Sequence, residues 1–293
     1  MSDQPKRKPD WLKVRFPGGA NYSRIDRYHR QHGLNSVCRS AACPNQGECW
    51  SKGTATFMIL GTNCSRLCQF CNVTSGALAT PDPQEPFKVA QAIAELGLQH
   101  AVITSVTRDD LADGGASQFV ALVAELRKQA PNCRVELLIP DLQGDWSALK
   151  KITAAQPDIL GHNIETVPRL YAEVRPGADY HRSLALLREA RQQTPELITK
   201  SGLMLGMGET EAELVAAMKD LRTQDCRILT LGQYLAPSTQ HYPVQDYITP
   251  ERFSAYAEIG RELGFQHVES GPLVRSSYHA EEQFAASQEK SKD

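Results

Sequence analysis

The sequence predicts an α/β protein built on a partial parallel (β/α)6 barrel of the TIM type, and three observations predict it. A chain of 293 residues, 41% hydrophobic and 23% charged, is long enough for one large barrel, since such barrels run to about 250 residues as a single unit. From Thr56 onward, short β-rich runs alternate with amphipathic helical stretches, the pattern of successive βα units. Several of the β-rich runs are apolar at consecutive positions, as strands covered on both faces must be. An open doubly wound sheet fits the same periodicity and remains the structural alternative.

The strands are expected at Thr56 to Leu60, Ala101 to Val106, Arg134 to Ile139, Asp158 to Ile164, Ile198 to Leu205 and Arg227 to Leu231. Between them, Val89, Ile93 and Leu96 share a helix face before Gly97, and Ser117 caps a helix that buries Phe119, Leu122, Val123 and Leu126. Thr210 and Glu213 make a T-x-x-E capping box, and Thr249-Pro250 opens a last helix that Gly264 ends. The barrel is expected over 53–264, with an N-terminal extension at 1–52 and a C-terminal extension at 265–293. Residues 1–30 carry eight basic and three acidic side chains, and Pro5, Pro9, Pro17 and Gly18-Gly19 discourage long regular structure there. That segment reads equally as an arm across the surface and as a frayed terminus.

Charge and hydropathy exclude two classes of function. With 32 Lys+Arg against 34 Asp+Glu, the net charge of -2 argues against a nucleic-acid partner, whose recognition would rest on a basic excess. No apolar run approaches the roughly 20 residues that span a bilayer, and no secretion signal opens the chain, so a cytoplasmic protein with no membrane partner is expected.

Eight cysteines then need an explanation in a compartment where disulfides are uncommon. Six of them, Cys38, Cys43, Cys49, Cys64, Cys68 and Cys71, fall between positions 38 and 71, and such clustering points to metal. Cys133 and Cys226 stand alone beside apolar runs and are expected as small buried hydrophobes. Cys64-x3-Cys68-x2-Cys71 follows the first strand directly, and three thiolates on one loop can hold three corners of a 4Fe-4S cube, leaving the fourth iron open to a small molecule. A zinc knuckle fits less well, because zinc loops usually pair cysteines as C-x2-C with a second pair downstream. Taken alone, the upstream Cys38-x4-Cys43-x5-Cys49 fits a structural staple as well as a working site.

The loop spacing, its place after strand one and the βα units resemble the radical S-adenosylmethionine (SAM) superfamily. Gly202-Leu203-Met204-Leu205-Gly206-Met207-Gly208-Glu209 is similar to its G-x-I-x-G-x-x-E segment. Within that superfamily, the double cysteine signature and Arg275-Ser276-Ser277-Tyr278 resemble the lipoyl synthase family over about residues 30 to 280, as do Gly53 to Met58, Arg108 to Leu111, Val174 to Gly177 and Gly232 to Leu235.

The resemblance implies two 4Fe-4S clusters. One would be held by Cys64, Cys68 and Cys71 with SAM on its open iron, and the other by Cys38, Cys43, Cys49 and the catalytic Ser277. It places Thr104, Ser105, Asn163, Glu165, Gly206, Gly208 and Glu209 around SAM. The implied sulfurtransferase reaction inserts two sulfurs at C6 and C8 of a protein-bound octanoyl-lysine. It uses two SAM per product and sulfide from the sacrificed second cluster, whose serine-held iron is expected to leave first.

Implied partners are octanoylated lipoyl-carrier domains (E2 subunits, the glycine-cleavage H protein), a flavodoxin or ferredoxin reductant and an iron-sulfur carrier protein. Trp11 and Phe16 in the basic arm are expected to touch an acidic carrier domain. His162 and His279 are given no role, and surface pairing is the default expectation for Arg175, Lys200 and Arg275. A biotin-synthase-like sulfur-inserting enzyme and a non-catalytic metal-stapled module are the alternatives.

Overall fold

Parallel strands buried on both faces dictate the architecture. The computed structural model describes residues 7–14, 18–41, 43–51 and 54–283. Among these residues, β1 (Thr56–Ile59), β2 (His100–Ser105), β3 (Arg134–Leu138), β4 (Ile159–Gly161), β5 (Ile198–Leu205), β6 (Ile228–Gln233) and β7 (His267–Gly271) pair in sequence order, all parallel. Strands β1 and β7 are the two edges of this sheet, so the barrel is partial.

The helices are α1 (Ala20–Gln31), α2 (Val37–Ser40), α3 (Gln46–Ser51), α4 (Glu85–Leu96), α5 (Ala116–Gln129), α6 (Trp146–Ala154), α7 (Tyr171–Val174), α8 (Tyr180–Gln193), α9 (Glu211–Thr223) and α10 (Pro250–Glu262). Six βα units therefore form, as expected, and a seventh strand follows them. Its sequence, HVESG, is half polar and gave no β signal; pairing with β6 makes it a strand and carries the sheet past the expected boundary at 265.

Alternation along the strands separates two environments. Phe57, Ile103, Leu137, Leu160, Leu203 and Leu231 face the helices and join the main core. The opposite parity puts Val102, Glu136, Ile159, Ile198, Lys200, Ile228 and Thr230 inside the barrel, where the three isoleucines form a small cluster of their own. Lys200 is the clearest departure from expectation: it is not a surface cation but donates from Nζ to Glu136 Oε1 at 2.7 Å, and His100 Nε2 lies 3.2 Å from Glu136 Oε2. Strand parity, invisible to a default rule about lysine, puts it there.

The caps follow the sequence with one correction. Thr210 and Glu213 form the reciprocal box on α9, Thr249 caps α10, and Gly97 closes α4 in the left-handed region at φ 65°. At α5 the capping acceptor is Asp113, which receives the Gly115 and Ser117 amides at 2.9 Å each, because Ser117 already lies inside the helix. The expected irregular arm contains α1, whose Ile25 and His29 are buried; the His29 ring stacks on Trp50 and Phe57 at 5.2 and 5.1 Å. Trp11 is 40% exposed, while Phe16, Pro17 and Gly53 lie outside the described residues.

Candidate cluster and cofactor site

The Cys64–Cys71 loop leaves β1 through two left-handed residues, Leu60 (φ 69°) and Gly61 (φ 95°), which turn the chain across the strand ends. Main-chain bonds then fix it to three other segments: Cys64 N to Thr74 O at 2.8 Å, Ser65 N to Thr107 O at 2.9 Å and Gln69 N to Val174 O at 2.9 Å. The amides of Arg66 and Thr107 point at Cys64 Sγ, both at 3.4 Å. From the middle of the loop Arg66 runs inward and donates to both oxygens of Asp109 (2.8 and 2.9 Å) and of Asp141 (2.6 and 2.9 Å), and Arg182 closes the other side of Asp141 at 2.9 Å. Burial alone would raise the Asp141 carboxyl, but the Arg66 hydrogen bond and the charges of Arg66 and Arg182 hold it well below the usual carboxylate range.

The upstream cysteines are presented by short helices. Cys38 lies in α2, whose cap Ser36 accepts the Cys38 amide at 3.2 Å and donates to Thr56 O at 2.9 Å; Cys43 follows in a turn and Cys49 sits in α3. After β7 the chain folds back as a strap over Gly232, where a Cβ would come within 2.0 Å of Val274 O. Asn45 donates to Leu273 O at 2.5 Å, and Tyr278 to Glu48 Oε2 at 3.1 Å. The Arg275 charge acts on Cys43 and Glu165, and Cys49 acts on Tyr278, so Ser277 is flanked by neighbours of the upstream trio. The Asn72 amide reaches Ser40 O at 2.8 Å, joining the two cysteine segments.

All eight cysteines are free thiols among the described residues. Burial pushes Cys43 and Cys71 up to about 11, with Arg275 opposing it at Cys43, and it also raises Cys68 against the pull of Arg175. Such thiols carry protons until a metal displaces them. Among the described residues no group of three or more His, Cys, Asp or Glu converges on a single-ion site. Cys133 and Cys226 are buried at 4% and 0% exposure, as small hydrophobes would be.

The residues expected to contact a nucleoside lie at the ends of β2, β4 and β5. Thr104 points inward and donates to Leu138 O at 3.0 Å, whereas Ser105, of opposite parity, keeps a buried hydroxyl without a partner. Asn163 donates to Glu165 Oε1 at 3.1 Å, and Glu165 itself sits in the left-handed region at φ 65°. Gly206 and Gly208, at φ 97° and 100°, shape the turn after β5; Glu209 accepts the Gly206 and Met207 amides at 2.6 and 2.9 Å and so braces its own loop. A small, shallow cleft opens beside Gly206, Gly208 and Glu209. Among the described residues Asn163 Oδ1, His162 Nε2 and Arg175 Nε are buried polar atoms without partners at the end of β4, which fits a polar ligand there.

Comparison with known proteins gives the family. Residues 58–221 match the model of the radical SAM superfamily. A lipoyl synthase of Alkaliphilus metalliredigens is 54% identical over 94% of this chain and 96% of its own length, and one from Geobacter sulfurreducens is 56% identical over 94% and 90%. The chain belongs to the lipoyl synthase family.

Lipoyl synthase membership decides against both a biotin-synthase-like enzyme and a non-catalytic module. More distant structures share only the fold: methylornithine synthase (PylB) superposes with a TM-score of 0.55 at 13% identity, covering 84% of this chain and 81% of its own. Streptococcus suis SuiB bound to its precursor peptide gives 0.59 at 10%, covering 85% and 52%.

Beyond the residues expected of a lipoyl synthase, the structure adds the Arg66–Asp109–Asp141–Arg182 lattice, Asn45, Glu48 and Ser276. Arg175 is corrected: it is 8% exposed and donates to Asn163 O, Ile164 O and Tyr171 Oη at 3.0, 3.1 and 2.9 Å rather than pairing at the surface. Arg275 is part-buried beside Cys43. Arg66 was legible as a charge inside a cysteine loop, followed downstream by the Arg108-Asp109-Asp110 run. The rest needed the fold, because each pairs with a residue far away in sequence.

Proposed function

We propose that this chain performs the lipoyl synthase reaction, inserting sulfur at C6 and C8 of an octanoyl chain amide-linked to a lysine of a carrier domain. The observation that supports the reading is that Asn72 ties the two cysteine segments together and that Cys68 and Cys43 both have neighbours, Arg175 and Arg275, that also act on Glu165. Cys64, Cys68 and Cys71 would hold the cofactor cluster, and Asn163, Glu165, Thr104, Ser105 and the Gly206–Glu209 turn would hold SAM. Bound there, the cluster and SAM supply hydrogen-atom abstraction, which acid-base side chains cannot perform on an unactivated C–H bond.

The chain's own residues position and protect. Arg66 and its carboxylates keep the loop's shape, Arg175 fixes the backbone of 163–165, and the strap covers the inner end of β6. The second cluster is a substrate, held by Cys38, Cys43, Cys49 and Ser277 and giving up its sulfide. A serine oxygen suits iron of this kind less well than thiolate does, so Ser277 would hold its iron less firmly than the three cysteines hold theirs. Each product then uses two SAM. The same reading assigns octanoylated carrier domains as substrate, E2 subunits and the H protein among them, a flavodoxin or ferredoxin as reductant and an iron-sulfur carrier for reloading. It places the enzyme in the cytoplasm; no described helix is long and apolar enough to cross a membrane.

The test is anaerobic incubation of the reconstituted protein with an octanoyl-lysine peptide, dithionite and SAM, read by mass spectrometry. The dithiolane product and 5'-deoxyadenosine are expected; 5'-deoxyadenosine without sulfur insertion rejects the assignment. Ser277→Cys is expected to keep both clusters by iron and sulfide analysis yet slow sulfur insertion, and undiminished insertion rejects the serine role.

A further inference from the structure

We propose that Ser276 and Asn163 form a joint that makes seating of the Ser277 strap and occupancy of the nucleoside side mutually dependent. The proposal rests on the reading above, in which SAM lies against Asn163 and Glu165 and Ser277 belongs to the second cluster. Asn163 stands at the end of β4 on a backbone that cannot shift. Arg175 binds the carbonyls of Asn163 and Ile164, the Glu165 amide donates to Gly202 O at 2.9 Å, and Met204 N donates to Glu165 O at 2.8 Å. The side chain alone is left to respond.

Its amide nitrogen has two hydrogens and both are committed, one to Glu165 Oε1 at 3.1 Å and the other to Ser276 Oγ at 2.6 Å. Asn163 Oδ1, on the far side of the same planar group, is buried without a partner and lies 3.1 Å from where a Cβ on Gly202 would sit. A ligand that engages Oδ1 or draws on Glu165 therefore sets the plane of the amide, and that plane decides whether the nitrogen still reaches Ser276. Ser276 precedes Ser277 directly. Asn45 to Leu273 and the Tyr278 and His279 contacts with Glu48 hold the strap on either side of 276–277, and Tyr278 N to Arg275 O at 2.9 Å closes the turn between them; the Asn163 bond ties that turn to the end of β4. By linkage the coupling runs both ways, and a neutral hydrogen bond supports about a fivefold effect on affinity.

Ser276 is thus a positioning residue, and its test reads binding and protection rather than turnover. In the anaerobically reconstituted full chain, SAM affinity is measured by equilibrium titration, and amide exchange over 273–279 is followed with and without SAM. SAM is expected to slow exchange in the strap of the unaltered protein. Ser276→Ala should weaken SAM binding about fivefold and abolish that slowing, and Ser276→Thr, which keeps the hydroxyl, should restore both. A strap indifferent to SAM in the unaltered protein, or one that stays responsive in Ser276→Ala at full SAM affinity, overturns the joint. Glu165→Gln separates the two failures: if it weakens SAM binding while Ser276→Ala does not, the nucleoside site stands and the joint alone fails. If neither weakens it, the site is misplaced and the joint falls with it.

Discussion

The two cysteine trios share one end of the barrel but are held by different forces. Charge locks the Cys64–Cys71 loop: Arg66 is 7% exposed and Asp141 1%, and their bidentate contact is extended by Asp109 and Arg182. Separate, less buried contacts hold the Cys38–Cys49 segment and its strap: hydrogen bonds through Ser36, Asn45 and Tyr278, and the Arg39–Asp26 and His279–Glu48 pairs. A buried charge lattice is costly to open, because each ion freed is left desolvated. Separate contacts that water reaches open one at a time, each at about 1 kcal/mol. That difference suits a cofactor kept through every turnover beside a sulfur donor that must be taken apart and rebuilt.

The largest effect expected from breaking this contrast is chemical. Cys68→Ala should remove the cofactor cluster and bring 5'-deoxyadenosine formation to background, whereas Cys43→Ala should keep 5'-deoxyadenosine and lose lipoyl product. Chromatography of both products from each variant is the check; a Cys43→Ala protein that still makes lipoyl groups would erase the division of labour. Next in size is Asp141→Ala, which strands Arg66 and Arg182 next to a buried gap and should cost about 3–5 kcal/mol by urea denaturation of the cluster-free protein. A loss below about 1 kcal/mol would mean that the lattice does not set the loop.

A smaller effect follows from pH. Burial first, and the Arg175 charge second, push His162 down to about 4 from its usual value near 6.5, so it is neutral in the fold. Between those two values the unfolded chain binds more protons than the folded one, so stability rises with pH across that window and falls on acidification. Asp141 acts in the same direction at lower pH: its carboxyl is depressed, so its contribution persists above the unfolded carboxylate value and is lost as pH falls through the folded one. The urea midpoint should therefore drop from about pH 7 to about pH 5, and His162→Gln should flatten the drop. An unchanged slope in His162→Gln places the acid sensitivity elsewhere.

The barrel was legible because its signal is local. Residues 57–60 read as a continuous apolar run, and the Thr210 box spells out the start of α9 within four residues. The two cysteine trios stood out for the same reason, since their spacing lies within one stretch of sequence. Strand β7 was not, because HVESG becomes a strand only through β6. Lys200 and Arg175 were misjudged because their burial depends on strand parity and on a helix turn over the strand ends, which residue type does not report. Ser276 stood in plain view within a motif, yet its partner Asn163 is 113 positions away.

The smallest effect tests the exposed half of the contrast directly. Glu48 is exposed, and its contact with Tyr278 at 3.1 Å spans 230 positions, tying α3 to the strap. An exposed hydrogen bond to a carboxylate contributes below about 1 kcal/mol, because water replaces either partner at little cost. Glu48→Gln keeps an acceptor of the same shape and removes only the charge. Global stability and total iron should therefore match the unaltered protein, while amide exchange over 276–279 should quicken by about threefold, the signature of a strap fastened by several weak bonds. Were Glu48→Gln to unfold the protein or strip its iron as Asp141→Ala is expected to, the strap would depend on charge after all, and the two trios would no longer differ in how they are held.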